Sequence, residues 1–217
     1  MKTLEEETDL DAARDTVRRV FGDLEAADRV AVAFGDSGLP LLEAWVGVEF
    51  ATLAGFTHLK LAPKAQEGFD VTLRRGTGTT SFDVTEAMDH LRNRHTEFST
   101  EWVFFHESDA EMTYQERLFA RVVGNRLHRK QSPDKDLILY VNTGWMPEAD
   151  EVETHLKRWH GYFKDKFRSA YLLLGIDGQD GLVQIAPEYR EIAPWRGEER
   201  PAEPPETMDE LLAFLRE

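Results

Sequence analysis

Residues 67–87 read Glu-Gly-Phe-Asp-Val-Thr-Leu-Arg-Arg-Gly-Thr-Gly-Thr-Thr-Ser-Phe-Asp-Val-Thr-Glu-Ala, and they decide how this chain folds. Phe-Asp-Val-Thr occurs twice, at Phe69–Thr72 and at Phe82–Thr85, on either side of Arg75-Gly76-Thr77-Gly78. Apolar and polar residues alternate in both copies, the period of a strand, and the glycines between them permit the positive φ that a tight hairpin turn requires. Strand parity puts Asp70, Thr72 and Arg74 on one face of the first copy. It puts Ser81, Asp83 and Thr85 on one face of the second, opposite Phe82, Val84 and Glu86.

A two-residue turn at Gly76-Thr77, or a four-residue turn from Arg75 to Gly78, centres the hairpin on one point. Opposed residue numbers then sum to 153, and 70 plus 83 is 153. Asp70 and Asp83 are expected to face each other, an arrangement that destabilises two like charges. Three compensations are open: a hard cation such as Mg²⁺ or Mn²⁺, a nearby arginine such as Arg74 or Arg75, or a shared proton. A three-residue turn would instead separate the charges and leave a solvated face.

Upstream, Thr8-Asp9-Leu10-Asp11 caps a first helix whose Leu10, Ala13, Val17, Val20 and Phe21 recur at helical spacing. Arg29 to Phe34 reads as a short strand. Asp36-Ser37 and Pro40 open a second helix, Leu39 to Ala54, apolar on most sides and carrying only Glu43 and Glu49 as charges; it should be largely buried. Gly55 ends it, and Thr57 to Leu61 is a strand.

Downstream, Trp102 to Phe105 is a strand or a loop anchor, and Thr113-Tyr114-Gln115-Glu116 is a capping box for a helix to about Lys130. Asp136 to Asn142 is a continuous apolar run, the mark of a strand covered on both faces. A helix from about Ala149 to Phe167 follows, then a closing hairpin of Tyr171–Ile176 and Leu182–Ile185. The expected fold is a mixed α/β domain over residues 1–194, a Pro-rich linker at 195–205, and a short amphipathic helix at 206–217 that docks in cis or offers a protein partner a surface.

A buried helix with a glutamate, a Gly-Phe turn, and strands bearing an aspartate and then an acidic-x-x triplet resemble the PD-(D/E)XK nuclease superfamily, the restriction-endonuclease-like fold. The likeness spans roughly Leu39 to Ile176. It implies an α-β-β-β-α-β core with a mixed central sheet flanked by helices. It also implies a Mg²⁺ or Mn²⁺ site built from Asp70, Asp83 and Glu43, with Glu49 less well spaced, and no organic cofactor. In the implied chemistry the ion lowers the pKa of a bound water, which attacks a phosphodiester in line. The triplet here is Asp83-Val84-Thr85, so threonine stands where the family has its catalytic lysine. Thr85 can orient water but brings no positive charge. Some members carry the lysine on the following helix, where Arg117, Arg121, Arg126 and Lys130 are available; Lys60 on the preceding strand is another candidate. The alternative is a catalytically inactive relative that serves as a protein-interaction or regulatory module.

Composition bounds these readings. The 217 residues carry a formal net charge of −15, which opposes nucleic acid unless a local basic site overcomes it. Arginine outnumbers lysine 18 to 8, which suits phosphate contacts and equally a GC-rich genome. There is no cysteine, hence no disulfide framework and no thiolate metal site. The acidic start and the lack of a long uncharged apolar run predict a cytoplasmic protein with no membrane span. His90 with His95, and His155 with His160, are five apart, a spacing that divides a pair across helix faces and disfavours zinc. Tyr140, Trp145 and Trp102 suit core packing or, less commonly, base stacking.

Overall fold

The computed structural model describes residues 2–22, 39–63, 68–88, 114–142, 148–174 and 181–195. A short 3₁₀ turn (Lys2–Glu5) leads into β1 (Thr8–Asp9) and α1 (Leu10–Gly22). Then come α2 (Leu39–Ala54), β2 (His58–Leu61), β3 (Val71–Arg75), β4 (Gly78–Met88), α3 (Tyr114–Lys130), β5 (Ser132–Asn142), α4 (Ala149–Phe163), β6 (Phe167–Leu174), β7 (Gly181–Ala186) and β8 (Arg190–Ala193). The eight described strands form one sheet in chain order, parallel between β4, β5 and β6 and antiparallel elsewhere. The protein is therefore mixed α/β, and from α2 to β5 its described elements run α-β-β-β-α-β.

Parity along the central strands divides the interior in two. Leu137, Leu139 and Val141 join α3 and α4 on one face of β5, while Ile138 and Tyr140 join α1 and α2 on the other. This double coverage is why residues 137–141 read as an unbroken apolar run. The α2 helix lies close against β2 and β3: a methyl added at Gly47 would meet Leu59 Cδ1 at 2.9 Å and Val71 Cγ1 at 3.3 Å. Gly55, at φ 73°, ends α2 in the left-handed conformation that glycine adopts without a Cβ penalty.

Several expectations change. The first Phe-Asp-Val-Thr copy is not all strand: β3 begins at Val71, and Phe69 and Asp70 precede it. The fourth helix stops at Phe163, where Lys166 N–H bonds Phe163 O, and Phe167 opens β6 opposite Ser132. Two strands lacked a readable pattern, the two-residue β1 and the half-exposed β8. The hairpin of β6 and β7 is consequently not the end of the sheet. Strand 29–34, the Trp102–Phe105 segment, His90, His95, Trp145, the linker after Trp195 and the helix at 206–217 lie outside the described residues.

Candidate functional site

The β3–β4 register is Val71 with Phe82, Thr72 with Ser81, Leu73 with Thr80, Arg74 with Thr79 and Arg75 with Gly78, so each pair sums to 153. The turn is Gly76-Thr77, with Gly76 at φ 57°. One step beyond Val71 the ladder changes. Asp70 N–H donates to Phe82 O at 2.8 Å, and Val84 N–H donates to the Asp70 carboxylate at 2.7 Å. The Asp70 side chain thus takes the place of a departing strand as partner of the β4 backbone. From Asp83 onward β4 turns to β5, pairing Asp83 with Leu137 through Met88 with Asn142.

Asp70 and Asp83 are brought together as the hairpin arithmetic requires, close enough that each carboxyl shifts the titration of the other. The compensation is neither Arg74 nor Arg75. Arg74 is held by Glu7 at 2.5 Å, and Arg75 lies over the Phe56 ring at 4.7 Å from its centroid. Lysines do the work: Lys135 Nζ is 2.6 Å and Lys130 Nζ 3.5 Å from Asp83 Oδ2, an oxygen on a side chain only 12% exposed.

The two carboxyls therefore titrate apart. Burial pushes Asp70 up to about 6, helped by its bond to Asp83 and by that residue's charge and opposed by the Val84 N–H. Burial also pulls Asp83 upward, but the Lys135 bond, the Lys130 charge and the Asp70 bond outweigh it and hold Asp83 below the ordinary carboxylate value. On the acid side of neutrality the pair therefore holds one proton, at Asp70, beside an ionised Asp83.

These groups line a cavity of about 270 Å³ with Glu43, Thr85, Glu86 and Arg126. Glu43 arrives from α2, Thr85 and Glu86 from β4, Arg126 and Lys130 from the last turns of α3. Glu49 and Lys60 do not line it. Of the arginines and lysine available on α3, Arg126 and Lys130 reach the cavity. Lys135 was not foreseen; it lies in β5 ahead of the apolar run. Glu86 was assigned by parity to the face of Phe82 and is buried in the cavity wall.

Among the described residues no group of three or more His, Asp or Glu is arranged to hold a metal ion, so Glu43 does not complete a three-carboxylate cage. The donor set that remains, two adjacent carboxylates lining a cavity with room for water, still fits Mg²⁺ or Mn²⁺, because Mg²⁺ keeps several waters and takes one or two carboxylates. His155 is 1% exposed and bonds Glu116 at 2.9 Å between α4 and α3. His160 donates from Nδ1 to Ile185 O at 2.9 Å. Tyr140 is buried edge-on to Trp45, 5.0 Å between centroids, which makes it core and not a stacking platform. No described helix is long and apolar enough to cross a membrane. No family model, curated protein or solved structure matches the chain.

Proposed function

We propose that the cavity at Asp70 and Asp83 is the site of a divalent-metal-dependent phosphodiester hydrolase of the PD-(D/E)XK kind. The observation that carries this reading is Lys130, which comes from the helix after the third core strand and sets its ammonium beside Asp83 in the cavity that Glu43 and Thr85 also line. A cation so placed supplies the charge that Thr85 lacks. Asp70 and Asp83 would hold Mg²⁺ or Mn²⁺, which supplies an acidified water and a counter-charge for a phosphate oxygen. The chain's own residues do the rest: Asp70 gives up its proton as the pH passes about 6, Thr85 orients water, and Lys130 and Arg126 attract the anionic substrate.

A second reading is favoured by one specific observation. The Asp70 proton and the two lysines on Asp83 already more than offset the charge of the pair without a metal ion, as expected of a catalytically inactive relative retained as an interaction or regulatory module. Calorimetry with Mn²⁺ on wild type and Asp83→Ala, beside cleavage assays on single- and double-stranded DNA and RNA, separates the two. Binding lost in Asp83→Ala together with cleavage supports the hydrolase. A flat titration for both proteins removes it, and binding without cleavage supports the inactive relative.

A further inference from the structure

A second cavity, of about 360 Å³, is lined by Phe50, Phe56, Arg75, Thr79, Tyr171 and Arg190 among others. Its volume falls within the range of small-molecule sites, and its lining has the usual make-up of apolar rings with a few convergent polar groups. The rings belong to one cluster: Phe50 to Phe56 is 6.0 Å and Phe50 to Tyr171 is 5.1 Å between centroids.

The two arginines set this cavity apart. Arg14, Arg74 and Arg168 are each held by a carboxylate, from Asp11, Glu7 and Asp136 respectively. Arg75 and Arg190 form no ion pair among the described residues, although acidic side chains outnumber basic ones by 41 to 26 in the chain. Arg75 is nevertheless fixed in place. Its guanidinium carbon sits 4.7 Å from the Phe56 centroid, and its Nη2 would be 3.8 Å from a Cβ added at Gly55. Stacking covers a face of the guanidinium and leaves the N–H edge to donate, the geometry suited to a phosphate oxygen. Both arginine charges also favour the ionised form of the Tyr171 hydroxyl, while burial holds its pKa above the ordinary value. The two cations line the same cavity.

We propose that this cavity binds a small organic phosphate, with the phosphoryl group taken by Arg75 and Arg190 and a flat ring set against Phe56 and Tyr171, the half-buried rings of its lining; a nucleoside monophosphate is the simplest such ligand. The site is separate from Asp70 and Asp83 and does not depend on what they do.

Calorimetric titration with AMP, inorganic phosphate and adenosine tests the assignment. AMP should bind about tenfold or more tightly than phosphate or adenosine alone, and Arg75→Gln and Arg190→Gln should each weaken AMP by about tenfold. Both arginines are exposed, so thermal unfolding midpoints near the wild-type value will show that these variants fold. The proposal is overturned if AMP gives no heat at about 10 mM, a concentration that detects even weak sites, or if either arginine variant binds as wild type does. Phosphate binding as tightly as AMP overturns the ring-bearing ligand.

Discussion

Replacing Asp70 by asparagine tests the electrostatics of the carboxyl pair with almost no change of shape. The amide oxygen can accept from Val84 N–H as the carboxylate does, at 2.7 Å, and the amide nitrogen can donate to Asp83 as the protonated acid does. Asparagine is thus a permanent copy of the protonated state. The native carboxyl is raised from 3.8 to about 6, so between those values the folded chain holds a proton that the unfolded chain has released. Stability must then fall as pH rises through this window, since the folded state binds more protons. About 2 pKa units at 1.36 kcal/mol each would be roughly 3 kcal/mol, and partial solvent access reduces that to about 1–2 kcal/mol. Asp83 is held below its ordinary value, and so below this window, mainly by the Lys135 bond and the Lys130 charge, both of which the variant retains. Urea unfolding at about pH 4 and about pH 7.5 should therefore give nearly equal stabilities at the acid end. At the neutral end Asp70→Asn should lead by about 1–2 kcal/mol. A stability difference that does not change with pH, or one favouring wild type at neutral pH, refutes the assignment of the proton to Asp70.

Three other substitutions probe the rest of the structure. Lys135→Ala removes the nearer cation from a largely buried carboxylate and should cost about 1–3 kcal/mol, and more than Lys130→Ala, whose contact is 3.5 Å against 2.6 Å. Denaturant midpoints of the two variants would check that order, and the reverse order would show Lys130 to be the main structural partner. Gly181→Ala drives a methyl into the Cα, Cβ and backbone nitrogen of Trp195, so it should lower stability by about 1–3 kcal/mol; an unchanged midpoint would show that β7 and the Trp195 segment do not touch.

What could be read in the sequence was whatever local periodicity controls. The α2 helix lies at Leu39–Ala54 as its apolar content and Gly55 indicate, and α3 ends at Lys130. The hairpin register followed from the two glycines and the repeated Phe-Asp-Val-Thr. What escaped was set by contacts distant in sequence. β3 starts late because Asp70 bonds β4 through its side chain, a choice that its neighbours in sequence do not reveal. The lysines on Asp83 come from positions 47 and 52 residues away and follow no motif. Glu86 shows the limit of parity: β4 alternates correctly, but the cavity reaches around the strand, so residues of both faces line it. His155 gave no signal of its partner because Glu116 lies on another helix.

The division of β4 has a mechanical consequence. Its first half, to Phe82, is bonded to β3, and its second half, from Asp83, to β5. Asp70 belongs to the N-terminal half of the sheet; Asp83, Lys130 and Lys135 belong to or contact the C-terminal half. The shared proton and the Val84 bond are therefore a latch across a seam, and they lie where a twist between the half-sheets is first felt as a change in distance. Whatever occupies the cavity grips both halves at once, so occupancy should reduce amide exchange on both sides of Phe82 together.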